Sequence, residues 1–328
     1  MANTNQITVR RSAGGPDEPY TLRSLQYTLS ETGVALITLA LPEKLNAMTA
    51  NLGAEVRVAL DHCVRSDDVA AVVWTGAGRA FCAGADQKGT DREVHVPPEA
   101  MALLDERVRS ELLGSGPDAA WRARPPDELS RTWGMRAQVL EFLRCPKPLI
   151  SAVNGLAVGG GANFGLFFMD LVYCSTEARF SWPFSKLGIT PELSSTFRFP
   201  AQAGAMLAKK HMMLGEWMSA EQAEQAHLAT AVHPPETFLA EALAAAEVLA
   251  GNDARAVQLT KSLINRSAAS TEAVNAALDR EQHFTVQRMR PERGGDPRLT
   301  VRDFVQFMES GVGAEAWPVD GGSAVARL

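Results

Sequence analysis

Cysteine is scarce in this chain. Only Cys63, Cys82, Cys145 and Cys174 occur in 328 residues, scattered, with no C-x-x-C pair and no zinc-like spacing with histidine. That pattern excludes a disulfide framework and reads as reduced thiols in a reducing compartment. Long apolar runs are missing as well: nothing approaches the roughly 18 consecutive apolar residues of a membrane-spanning helix. The polar segment Met1 to Gly15 lacks the apolar core of a secretory signal. Positive charge is not in excess, and a net charge of -6 argues against a broad grip on nucleic acid or an anionic membrane. It leaves room for a local basic patch facing a phosphorylated ligand. These absences point to a cytoplasmic protein with neither nucleic acid nor membrane as partner. The closing Ala326-Arg327-Leu328 is a variant of the S-K-L peroxisomal address, which makes a peroxisomal location the minor alternative.

What is present is an alternation of apolar strands and amphipathic helices, the pattern of an α/β protein. Val34 to Leu41, Val69 to Thr75, Leu149 to Val153 and Leu171 to Ser175 read as buried strands. Thr49 is placed to cap a helix running to Arg65, where Leu52, Val56, Leu60 and Val64 share a face. Helices predominate after Pro200, beginning with one over Ala201 to Met213. Residues 1–22, with Gly14, Gly15, Pro16 and Pro19, read as a flexible lead-in. A core over 23–220 follows, interrupted at about 87–140 by a Pro- and charge-rich stretch. A helical region over 221–310 and an irregular tail over 311–328 complete the chain.

Two stretches carry chemistry. Ser151 to Val158 is an apolar strand broken at Asn154-Gly155, and it runs into Gly159-Gly160-Gly161 at the start of a helix. Successive glycines mark a close approach to the main chain. The unpaired N–H groups of a helix's first turn suit an anion, or an oxygen that becomes anionic during a reaction. A tight turn with nothing bound would read the same way. The second stretch, Ala80-Phe81-Cys82-Ala83-Gly84-Ala85-Asp86, also follows an apolar strand and also consists of small residues. Two such turns can present two backbone donors to one oxygen.

The segments TGAGRAFCAGAD (Thr75 to Asp86), PKPLISAVNGLAVGGG (Pro146 to Gly161) and LPEKLNAM (Leu41 to Met48) closely resemble the enoyl-CoA hydratase/isomerase, or crotonase, superfamily. The resemblance runs from about Val34 to about Ile264. It implies a crotonase-like spiral of ββα units with a helical C-terminal region, and an acyl-CoA thioester as substrate. It implies no permanently bound cofactor and no metal, and a homotrimer or dimer of trimers. Carried over position by position, the oxyanion-holding amides are those of Ala85 and Gly160. Lys44, Leu45, Ala47, Ala83, Asp86 and Phe304 fall where the family meets coenzyme A.

The family's hydratases use two glutamates, and this chain has Asn163 and Phe184 at those positions. Neither can act as a general base at neutral pH. Glu192, in Thr190-Pro191-Glu192, stands where isomerases resembling the peroxisomal type carry their one catalytic glutamate. The resemblance therefore implies isomerisation of β,γ-enoyl-CoA to α,β-enoyl-CoA with Glu192 as the proton shuttle. Asn163, Phe164, Trp182 and Phe184 are expected around the substrate. Taken locally, Thr190-Pro191-Glu192 is also an ordinary helix start, with Thr as N-cap and an acid in the first turn. Other crotonase-type chemistry on a CoA thioester (ring isomerisation, or hydration by a non-standard base) and a non-catalytic acyl-CoA-binding role are the alternatives.

Overall fold

A computed structural model describes residues 2–3, 5–86, 93–108 and 126–268, together with Val274, Ala277, Leu278 and Glu281. Phe304, the tail over 311–328 and much of the stretch 87–140 lie outside the described residues.

The first strands lie where the sequence suggested a flexible lead-in. After β1 (Ala2–Asn3), β2 (Gln6–Arg10) and β3 (Asp17–Thr21) pair antiparallel as a hairpin. Ile7 and Val9, one face of β2, are both buried against the core. The polar composition of the segment concealed this period-two pair, and Gly14 at φ 70° belongs to the hairpin turn.

β4 (Leu25–Leu29) and β5 (Val34–Leu39) lead into α1 (Ala50–Arg65), with Thr49 Oγ1 accepting from Leu52 N as its N-cap. β6 (Ala71–Gly76) and β7 (Ala80–Cys82) precede α2 (Pro98–Arg107) and α3 (Pro126–Leu143). β8 (Leu149–Val153), β9 (Leu156–Val158) and α4 (Gly160–Phe167) follow, then β10 (Leu171–Ser175) and β11 (Arg179–Ser181). The expected helix over Ala201 to Met213 is two helices, α5 (Ser195–Ala203) and α6 (Ala205–Leu214). They break at Gly204, whose φ of 84° continues neither. β12 (Trp217–Ser219), α7 (Ala220–Gln225), β13 (Ala231–His233), α8 (Phe238–Gly251) and α9 (Ala254–Ala268) complete the described elements.

Among the described residues the larger sheet has the order β1-β4-β5-β6-β8-β10-β13, parallel from β5 onward. The smaller has the order β12-β11-β9-β7, with β7, β9 and β11 parallel. Consecutive strands alternate between the sheets: β6 then β7, β8 then β9, β10 then β11. Each turn of the chain adds one strand to each layer, which is the ββα spiral of a crotonase fold. Strands covered on both faces must be apolar throughout, and every residue of β8 is buried. One face of β5, β6 and β8 packs on α8 through Phe238, Ala242 and Ala246. The other face joins the main core, which contains Trp74, Phe142 and Phe164.

Arg57 on α1 ties the helices of the atypical stretch to this frame. Its guanidinium grips Glu141 on α3 through two 2.9 Å bonds and meets Asp105 on α2 at 2.8 Å. Burial pushes the Glu141 carboxyl up, while the Arg57 charge opposes the shift.

Candidate active site

β7 and β9 lie side by side and parallel, so the turns that follow them emerge at the same end of the smaller sheet. The two turns touch through backbone. A Cβ on Gly84, at φ 85°, would lie 2.6 Å from Val158 O and 3.6 Å from Gly160 N. One on Gly161 would lie 2.0 Å from Cys82 O. Only glycine permits this approach at either position.

Ala85 forms a parallel bridge with Met48: Met48 N donates to Gly84 O at 2.7 Å and Asp86 N to Met48 O at 3.2 Å. In that pattern the flanking peptides face Met48, and the N–H of Ala85 itself turns to the opposite side. Gly160 is the first residue of α4, where an N–H has no partner inside the helix. Among the described residues neither amide donates a hydrogen bond. Two unspent donors from adjoining turns, one at the positive end of a helix, can hold a developing oxyanion.

The Glu192 carboxyl lies beside Gly160. A Cβ on that glycine would come 3.0 Å from Glu192 Oε1 and 3.3 Å from Leu193 Cδ1. Burial pushes the Glu192 carboxyl above the ordinary carboxylate range. Its backbone is held firmly: Glu192 O accepts Asn163 Nδ2 at 2.9 Å, Ser195 Oγ at 2.7 Å and Ser195 N at 3.2 Å. The helix-start reading of Thr190-Pro191-Glu192 does not hold, since α5 begins at Ser195. Leu193 and Ser194 intervene in left-handed backbone, at φ 58° and 60°. This turn carries the Glu192 side chain back toward Gly160.

Of the four residues expected around the substrate, three are otherwise engaged. Asn163 is fully buried, with Oδ1 accepting Trp182 Nε1 at 2.8 Å and Nδ2 on the Glu192 carbonyl. Trp182 is equally buried, stacked on Phe167 with the tilted ring of Phe199 against it. Phe164 belongs to an aromatic core with Trp74, Phe81, Phe142 and Phe168. Asn163 and Phe164 lie on α4, whose side chains after its first turn run into the core. Phe184 remains close, with its ring 3.5 Å from a Cβ placed on Gly159.

Lys44, Leu45, Ala47, Ala83 and Asp86 do come together. Ala83 N donates to Leu45 O at 3.0 Å, and the bridge at Met48 carries Ala47 beside Gly84 and Asp86. Asn46, which the sequence reading passed over, fixes this loop. Its Oδ1 accepts Leu41 N at 2.9 Å, and its Nδ2 donates to Ala77 O at 3.0 Å and Ala80 O at 2.8 Å. An asparagine is suited to the left-handed φ of 53° found there, and it is fully buried.

The flanking groups are structural. The Cys82 thiol is buried and pushed up to about 11, so it is no nucleophile at neutral pH. Lys261 ties α9 to the core through Lys147 O at 2.8 Å and Asp170 at 2.7 Å. Among the described residues no three or more His, Cys, Asp or Glu side chains cluster as metal ligands, and no helix is long and apolar enough to cross a membrane.

A family model described as enoyl-CoA hydratase/isomerase matches residues 30–112 and 119–295. The chain is 31% identical over 283 residues to 1,2-epoxyphenylacetyl-CoA isomerase of Escherichia coli, covering 86% of this chain and 96% of that one. It is 29% identical to the mitochondrial enoyl-CoA hydratase of Pongo abelii over 77% of this chain and 76% of the relative. A crystal structure of an enoyl-CoA hydratase/isomerase from Pseudoalteromonas atlantica superimposes with a TM-score of 0.66 at 26% identity, covering 89% of this chain and 99% of that one.

Proposed function

The chain belongs to the enoyl-CoA hydratase/isomerase family, and from that premise we propose that it isomerises β,γ-enoyl-CoA to α,β-enoyl-CoA. The Glu192 carboxylate takes a proton from C2 of the thioester. The electron pair left behind spreads over the dienolate, with negative charge on the thioester oxygen. The amides of Ala85 and Gly160 hold that oxygen. The Glu192 carboxylic acid returns the proton at C4, the double bond now lies between C2 and C3, and nothing is consumed. The loop of Lys44, Leu45 and Ala47, with Ala83 and Asp86, holds the coenzyme A portion.

One observation carries the reading: the carboxyl of half-buried Glu192 stands against Gly160, the residue whose unspent amide opens α4. Asn163 and Phe184 supply no second acid for water addition. Asn163 instead anchors the Glu192 backbone. Ring isomerisation is the second reading, favoured by the 31% identity to a relative named for an aryl epoxide thioester.

The test is to give the purified protein a 3-enoyl-CoA and follow conjugated 2-enoyl-CoA by its absorbance. Formation of the conjugated thioester without 3-hydroxyacyl-CoA is the expected result. A hydroxyacyl product, or turnover restricted to the epoxide thioester, would overturn it.

A further inference from the structure

We infer that Glu281 is a positioning residue for this chemistry: its carboxylate grips the left-handed turn behind Glu192 and holds the Glu192 carboxyl against Gly160. The inference rests on the isomerase reading for its activity readouts, and on geometry alone for the rest.

Glu281 is a buried acid from the helical region after α9, remote in sequence from the site. It meets the Glu192 segment on both sides. Its Oε2 accepts Ser194 N at 2.8 Å and its Oε1 accepts Thr196 N at 2.8 Å; Thr196 Oγ1 also donates to Oε1. On the other side, the Glu281 backbone carbonyl accepts Thr190 Oγ1 at 3.1 Å. Residues 190 and 196 bracket Glu192, so one residue pins both ends of the segment that carries it.

That segment needs a clamp. Leu193 and Ser194 are consecutive non-glycine residues at positive φ, and the Ser194 hydroxyl is buried without a partner. Such strain persists only where surrounding structure imposes it. The carboxylate supplies two acceptor oxygens to two backbone donors, one of which, on buried Ser194, the turn would otherwise leave unpaired.

Charge points the same way. Burial, with the like charge of Glu192 added, pushes Glu281 up to about 7 against the opposing pull of its hydrogen bonds. The other elements around Glu192 bring little competing charge. α4 has no titratable side chain. Lys186, in the 3-10 turn Pro183–Leu187, is spent on Gly215 O at 2.8 Å. Arg198 on α5 is the nearest cation on that helix; burial lowers its proton affinity, the Asp170 charge opposes the shift, and its Nε has no hydrogen-bond partner. Glu192 is the one like charge that adds to the effect of burial on Glu281.

The experiment compares wild type, Glu281→Gln, Glu281→Ala and Glu192→Gln by kinetics on a 3-enoyl-CoA across pH, and by amide hydrogen exchange at 193–196. Glu281→Gln keeps the shape of the side chain but turns a donor toward one backbone N–H. The expected kcat falls about 10- to 100-fold with KM nearly unchanged, the scale of a small misplacement of a reacting group. Exchange at Ser194 and Thr196 accelerates, and an inflection near pH 7 disappears from the kcat profile. Glu281→Ala gives the same pattern more strongly.

Unchanged kcat in Glu281→Gln with unchanged exchange would overturn the inference. So would a loss that merely tracks the fraction of unfolded protein. If wild type and Glu192→Gln turn over equally, the isomerase reading fails, and the exchange data alone then decide whether Glu281 grips the turn.

Discussion

At the residue scale, two neighbouring glycines should fail in different ways. Gly160 has room for a methyl group only if the mobile ends of Glu192 and Leu193 yield. Gly160→Ala is therefore expected to fold with near-normal melting temperature but to lose kcat roughly tenfold or more, because the carboxyl is displaced. Gly161 faces the main chain of Cys82 at 2.0 Å, so Gly161→Ala should be poorly folded and show a depressed melting temperature. Thermal melts paired with kinetics separate the two outcomes. Equal melting temperatures would show that the two turns are not in backbone contact.

Asn163 shows how far the sequence could be read at this scale. The family resemblance implies only that Asn163 replaces the first hydratase glutamate. What Asn163 does, linking Trp182 Nε1 to the Glu192 carbonyl, depends on a packing across residues 163, 182 and 192 that no local pattern encodes. Glu281 left a fainter signal. Val274, Ala277, Leu278 and Glu281 fall on one buried helical stripe, and an acid on such a stripe needs partners.

At the element scale, the parallel strands and the Thr49-capped helix were legible because their signals are local: apolar runs and a hydroxyl before a periodic segment. The β2–β3 hairpin and the break at Gly204 were not. The first is stabilised by burial against α1 and its neighbours, the second by a backbone conformation that periodicity ignores. Arg57 belongs to this scale because it binds α1, α2 and α3 together. Removing its partner strands a buried cation, so Glu141→Ala should lower stability by about 3–5 kcal/mol in denaturant titrations. A loss under 1 kcal/mol would place the pair in solvent. Asn46→Ala, which removes three hydrogen bonds from the loop proposed to hold coenzyme A, should raise KM for the thioester more than it lowers kcat.

At the scale of the whole molecule, pH should move activity and stability in opposite directions. In the proposed reaction Glu192 must be ionised to accept the C2 proton, and burial raises its proton affinity. kcat/KM should therefore rise with pH through a midpoint above the usual carboxylate range. Glu281, also raised in the folded state, contributes stability that is full below its ordinary value of 4.5 and lost as pH rises through about 7. Melting temperature against pH should fall across that window in wild type, and the fall should be smaller in Glu281→Gln.

The central claim is that one half-buried carboxyl moves a proton at a carbon whose thioester oxygen rests on two backbone amides. Its most direct test is the turnover of a 3-enoyl-CoA by wild type and Glu192→Gln, with thioester binding measured on both by calorimetry. The account predicts unchanged binding and a loss of turnover of about 10²–10⁴-fold, the usual worth of a positioned acid–base group. Equal turnover in the two proteins would contradict it.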